Sequence, residues 1–204
     1  MWAYKAEGDL AAFEVLVRRH QGRVFTYALR VLGQREAAED LTQDTFIKVA
    51  RYAERYRQGA PLKSWLMTIA RNTCIDATRR RRLRRTASLD QAAPGMEAET
   101  EPWVERIPSE AAGPDEAAAA SALAPALQRA LQSLPEEQRE VFVLREYSGV
   151  TFAEIAEITG ASLGTVKSRM RYAMLALRAR FEEEGLTKAA LQGALPTPSQ
   201  GAKP

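Results

Sequence analysis

Between residues 87 and 116 the chain cannot build a packed layer. Pro94, Gly95, Pro102, Pro108, Gly113 and Pro114 interrupt it, and prolines at that density remove backbone donors and stop any long helix. The same stretch holds eight acids (Asp90, Glu97, Glu99, Glu101, Glu105, Glu110, Asp115 and Glu116) against one base, Arg106, a net charge of −7. Immediately before it, six of the seven residues from Arg79 to Arg85 are arginine. Such a segment is expected to be a flexible acidic linker. It divides the 204 residues into a unit at 8–86, a second at 117–184 and a tail at 185–204 that is expected to fray.

Both units have the helical period, and no alternating strand pattern is present. In the first, apolar residues recur at Leu10, Phe13, Leu16 and Val17, then at Val24, Tyr27, Ala28, Val31 and Leu32 before Gly33, then at Ala37, Leu41, Phe46, Ile47 and Ala50. Three helices are expected from these. A fourth is expected to start at Pro61, a favourable first-turn residue, and to run through Leu62, Leu66, Ile69, Ala70 and Thr73 into the arginines. The second unit should open with an alanine-rich helix over 117–132. Ser133–Glu136 and Thr151–Glu154 offer capping boxes for two further helices, broken at Gly149 and Gly160. Ser162 can cap a last helix with Val166, Met170, Met174 and Leu177 on one stripe, ending near Glu184. The fold class expected is all-α: two small helical domains joined by the linker.

Composition narrows the chemistry. One cysteine, Cys74, and one histidine, His20, supply neither a disulfide framework nor a Cys/His zinc site. No metal or cofactor is expected. No run is apolar enough to span a bilayer, and Met1–Leu10 carries Lys5, Glu7 and Asp9 where a signal peptide would be apolar. A soluble, cytoplasmic protein without membrane insertion is expected. There is no nucleophile with an activating base and no clustered carboxylate set outside the linker, so no catalytic residue is assigned and an enzyme is not expected.

Three features point to partners. Two capped helices around Thr159–Ala161, the second rich in Lys167, Arg169 and Arg171, form a helix-turn-helix pattern suited to a DNA major groove; an ordinary helical hairpin with a solvated face would look similar. The arginine run repels itself unless an anion such as phosphate relieves it, unless it is only a basic tail. Trp65 and Asn72 precede it on the same helix, a stacking face and an edge reader that would suit unpaired bases, although a tryptophan in such a place is more often core. The third predicted helix places Glu39, Asp40, Gln43 and Asp44 beside Leu41, Phe46 and Ile47, which is either plain core plus solvent or a protein-docking face.

The strings Glu39-Asp40-Leu41-Thr42-Gln43-Asp44-Thr45-Phe46, Ser64-Trp65-Leu66, Ile69-Ala70-Arg71-Asn72, Ser133-Leu134-Pro135, Glu154-Ile155-Ala156 and Gly164-Thr165-Val166-Lys167-Ser168-Arg169 closely resemble the extracytoplasmic-function (ECF, group IV) sigma factors of bacterial RNA polymerase. The resemblance runs from about Asp9 to Phe181. It implies a region 2 four-helix domain at 8–86 and a region 4 helix-turn-helix domain at 117–184, with no region 1.1 and only the linker where larger relatives carry region 3. It also implies an alternative sigma factor that binds core polymerase, recognises −35 and −10 elements and initiates transcription of a specific regulon. Asp40, Leu41, Gln43, Phe46 and Ile47 would then meet the clamp helices of the largest subunit. Lys63, Trp65, Arg71, Asn72, Arg79 and Arg80 would meet the −10 element as single-stranded DNA. Thr165, Lys167, Ser168, Arg169, Arg171 and Tyr172 would meet the −35 duplex, with the region 4 unit also at the polymerase flap. A separate anti-sigma protein is a further partner that the resemblance raises.

Two positions depart from the family pattern. Ala50 stands where many members have tryptophan, and Tyr172 where arginine is common. Projected at about 100° per residue, the last helix turns Ser168, Arg171 and Tyr172 away from its core stripe and sets Lys167 and Arg169 on the flanks. Arg171 and Ser168 are expected to read base edges, Lys167 and Arg169 to hold phosphates. The linker polyanion is expected to compete with phosphate for these basic faces in the free protein. The rival readings are a helix-turn-helix regulator that binds DNA alone and a DNA-processing enzyme such as a recombinase.

Overall fold

The computed structural model describes residues 1–57, 59–88 and 114–183, and every regular element in them is helical. The order is α1 (Trp2–Glu7), α2 (Leu10–Leu32), α3 (Arg35–Arg51), a 3-10 turn (Ala53–Arg55), α4 (Leu62–Ser88), α5 (Pro114–Ser133), α6 (Glu136–Glu146), α7 (Phe152–Thr159) and α8 (Leu163–Glu183). Most of the predicted linker and the whole of the predicted tail fall outside these residues.

The first two expected helices are one. The polar run Arg18–Arg23 breaks the apolar pattern but not the backbone, and Gly22 sits inside α2 at an ordinary helical cost of about 1 kcal/mol. The Asp9 carboxylate caps α2 by accepting from the Ala12 N–H at 3.0 Å. Gly33, at φ 77°, ends it. Helix α1 was not foreseen; Lys5 anchors it by donating to the Glu54 and Tyr56 carbonyls at 2.8 and 3.0 Å. Helix α4 begins one residue after Pro61, whose carbonyl accepts from the Trp65 N–H at 3.1 Å.

In the second unit α5 starts at Pro114, inside the stretch expected to be linker, and absorbs Pro125 in its interior. Ser133 does not cap α6. It belongs to the last turn of α5 and its hydroxyl donates back to the Ala130 carbonyl at 2.8 Å, while α6 starts after Pro135 with no side-chain cap. The Thr151–Glu154 box does form: the Glu154 N–H donates to Thr151 Oγ1 at 3.2 Å and the Thr151 N–H to Glu154 Oε2 at 2.8 Å. Gly160, at φ 69°, turns the chain, and Ser162 Oγ accepts from the Thr165 N–H at 3.1 Å to cap α8. The core stripe of α8 is Val166, Ala173, Leu177 and Phe181. Met174, expected on it, is 44% exposed. Seven residues bring Ala173 almost back to the angle of Val166, whereas eight carry Met174 about 80° past it.

Helices α2, α3 and α4 pack together, as do α6, α7 and α8. The two groups also pack on each other, α2 against α5 and α6, and α4 against α7. Buried residues from Leu16 to Phe181 consequently form one cluster, with Tyr27, Leu66, Met67, Leu127, Phe142 and Phe181 among its largest fully buried side chains.

Because α7 is only eight residues long, its cap should matter. Thr151→Ala removes a reciprocal pair of cap bonds and should cost about 1 kcal/mol, seen as a lower urea midpoint, with Thr151→Ser keeping most of it. An Ala variant with the wild-type midpoint would show that the box carries no stability.

Candidate polymerase and promoter interface

Helix α3 lies along α2, and the two enclose an open apolar groove of about 580 Å³. Phe13 and Val17 of α2 line it with Phe46, Ile47 and Ala50 of α3, and Gln43 stands at its rim. Leu41 and Phe46, which the resemblance sets against the clamp helices, are not exposed. They are only 2% and 7% exposed, because both lie on the α3 stripe that seals the core. Asp40 and Gln43 are exposed, and Ile47 is 51% exposed. Leu41 supports the surface from beneath. The α2 contribution to the groove was missed, since Phe13 and Val17 look like core residues in sequence. Ala50 was the available signal: its small side chain sits where a larger one would fill the groove.

Helix α4 separates the residues expected at the −10 element. Trp65, Asn72 and Arg79 recur every seven residues and so share one stripe. Asn72, Arg79 and Arg80 are exposed. Trp65 is partly buried and meets the Tyr56 ring edge-on, 5.2 Å between centroids, while the Tyr56 hydroxyl donates to the Ala60 carbonyl at 2.7 Å and shapes the preceding loop. Trp65 is therefore both packed and accessible at one edge, the two roles that the sequence left open. Arg71 is turned about 100° from Asn72. Its Nε donates to Glu140 Oε1 of α6 at 2.9 Å, with side-chain exposures of 20% and 12%. Lys63 Nζ donates to the Gly149 carbonyl in the α6–α7 turn. These two cations face the second unit.

The helix-turn-helix is formed by α7 and α8. Thr165, Lys167, Ser168, Arg171 and Tyr172 are exposed on α8, and Tyr172 is 56% exposed. Lys167 and Arg171 make no ion pair among the described residues. Arg169 is drawn to the flank, its guanidinium 3.8 Å from Glu137 of α6. The exposed face of α8 carries Lys167 and Arg171, and the helix is capped at its N-terminal end by Ser162.

Polar contacts flank the apolar packing between the units. Beside the Arg71–Glu140 pair, Gln128 Nε2 donates to the Leu29 carbonyl at 3.2 Å, Gln132 Nε2 to the Arg30 carbonyl at 3.0 Å, and Arg30 Nη1 to Gln128 Oε1 at 2.9 Å. Gln132 lies against Gly33, where an added Cβ would come within 3.0 Å of it. Burial pushes the Glu140 carboxyl above its ordinary range, with Arg71 pulling the other way. The Tyr147 hydroxyl and Arg30 Nε are buried there without hydrogen-bond partners, each such group costing about 1–3 kcal/mol. Glu140 was not foreseen. In sequence it is one more acid in a helix that begins with Glu136 and Glu137, and only the tertiary contact distinguishes it.

Known proteins share both halves of this architecture. The chain matches Sigma-70 region 2 over residues 16–84 and Sigma-70, region 4 over residues 125–177. It is 39% identical over 179 residues to the ECF RNA polymerase sigma factor SigE of Mycolicibacterium smegmatis, covering 86% of this chain and 65% of SigE's length. It is 34% identical over 190 residues to the ECF RNA polymerase sigma factor SigL of Mycobacterium tuberculosis, covering 90% of this chain and 96% of SigL. Among solved structures, CnrH in complex with the cytosolic domain of CnrY is similar at a TM-score of 0.61 and 26% identity, over 89% of this chain and 95% of CnrH. With both sigma regions matched in order and likeness along nearly the whole of SigL, the chain belongs to the ECF family of RNA polymerase sigma factors.

Proposed function

We propose that the chain binds core RNA polymerase, sets α8 in the major groove of the −35 element and α4 on the single-stranded −10 element, and so starts transcription from a specific set of promoters. The carrying observation is that one chain presents two separate cationic faces, Lys167 and Arg171 on α8 and Arg79 and Arg80 on α4, in the two regions that match sigma factors. It acts by recognition and positioning, without catalysis of its own, where bacterial DNA and polymerase meet in the cytoplasm. Residues 8–86 form the polymerase and −10 unit, and 117–184 the −35 unit. A helix-turn-helix regulator acting alone would leave the α3 groove and the α4 stripe without use.

The clamp helices of the largest subunit fit the α2–α3 groove, where Ile47 and Gln43 are the accessible anchors. Burying Ile47 and pairing Gln43 across a contact would desolvate both, and a few such residues carry most of an interface's energy. Gln43→Ala with Ile47→Ala should lower co-purification with core polymerase by roughly tenfold to a hundredfold while leaving the fold intact, since both residues are exposed. Wild-type recovery with core would rule out this surface.

At the −35 element, Arg171 and Ser168 face the groove floor and Lys167 and Arg169 its phosphate walls. Arg171→Ala should cost about 1–3 kcal/mol on the preferred sequence and flatten discrimination at one or two positions, guanine being the expected loss. Lys167→Ala should weaken all sequences alike and reduce the salt slope by about one. Binding of polymerase carrying each variant to a randomised −35 library at two salt concentrations separates them. A changed preference for Lys167→Ala with none for Arg171→Ala would reverse the two faces and make Tyr172 the reader.

A further inference from the structure

We propose that Lys5 of α1 is a positioning residue for the −10 contact: it fixes Tyr56 against Trp65, and so sets the edge that Trp65 offers to an unpaired base. This rests on the reading of α4 as the −10 helix. The contacts run without a gap from α1 to α4. The Tyr4 ring lies tilted against Phe13 of α2, 4.6 Å between centroids, and seats α1 on α2. From there Lys5 Nζ donates to the Glu54 and Tyr56 carbonyls at 2.8 and 3.0 Å. These are the carbonyls at the end of the 3-10 turn, where a helical segment leaves acceptors in need of partners. A single ammonium group meets both, with the added strength of a charged donor.

Tyr56 carries this tie forward to α4. Its backbone carbonyl is held by Lys5, its ring meets Trp65 edge-on at 5.2 Å, and its hydroxyl donates to the Ala60 carbonyl at 2.7 Å. One residue is thus fixed from α1, from the head of α4 and from the connection between them. That connection has little burial to hold it, since Arg57, Gly59, Ala60 and Pro61 are all exposed. Gly59 takes φ 87°, and the Ala60 N–H donates to the Arg57 carbonyl at 3.2 Å. Exposed segments tied by a few hydrogen bonds open at low cost. A stacking face that is already ordered loses less entropy when it takes up a base, and Lys5 supplies that order from a helix outside the −10 face.

The test uses the full chain assembled with core polymerase on a promoter mapped with the wild-type protein, with −10 opening followed by permanganate reactivity of unpaired thymines. Lys5→Met keeps most of the stem and loses the donors. It should co-purify with core at the wild-type level and lower opening by about tenfold, and Lys5→Arg, which keeps donors, should recover most of the loss. In a Trp65→Ala background the same Lys5→Met change should cost nothing further, because a residue that acts through another has no separate effect. Wild-type opening by Lys5→Met would overturn the proposal, as would equal losses in the two backgrounds. Core binding lost in step with opening would also overturn it, by reducing Lys5 to a residue that holds the fold. Failure of the −10 reading has a different signature: Trp65→Ala would itself open the promoter at the wild-type level.

Discussion

The contact between Arg71 and Glu140 joins two helical units that the sequence separates by an acidic, proline-rich segment. It sits where α4 of the first unit meets α6 of the second, beside Tyr27, whose hydroxyl lies 3.5 Å from the same carboxylate. A carboxylate this deeply covered is expensive to desolvate, and its raised proton affinity shows burial outweighing the neighbouring guanidinium. Removing one member would strand the other, yet replacing the environment of both with water would relieve them. Such a pair sets one polar contact within units that also share a buried apolar cluster.

Much of this was legible because local rules governed it. The Thr151–Glu154 box, the glycines at 33 and 160 and the Ser162 cap all follow from backbone donors that need partners at helix ends. The exposure of Ser168, Arg171 and Tyr172 on α8 followed from the helical period alone, apart from the exchange of Met174 for Ala173 in the core. Misreadings arose where tertiary packing overrode a local signal. Ser133 had the right neighbours for a cap, but α5 continued through it; the polar run at Arg18–Arg23 resembled a boundary, but burial of Leu16 and Val24 on either side held α2 straight through. Leu41 and Phe46 were placed on the surface because periodicity shows which residues share a face and not which of two neighbouring faces is buried.

The site residues divide in the same way. Those on α8 need only their own helix to be exposed, and all but Arg169 are free of ion pairs among the described residues. Those on α4 depend on what packs beside it: Asn72, Arg79 and Arg80 remain open, while Lys63 and Arg71 turn to the second unit. The apolar groove between α2 and α3 required both helices together, and a single-helix pattern cannot report a surface made by two. Asp40, Gln43 and Ile47 of α3 are accessible in this arrangement, whereas Arg71 and Lys63 of α4 are engaged by the second unit.

As a member of the ECF sigma family this chain confers promoter recognition on a polymerase that lacks it. Core polymerase should be supplied with and without the full chain on a genomic fragment library and the transcript 5′ ends mapped. Discrete new start sites that share two upstream elements at a fixed spacing are the predicted result. A set of start sites identical with and without the chain, under conditions where it co-purifies with core, would contradict the account.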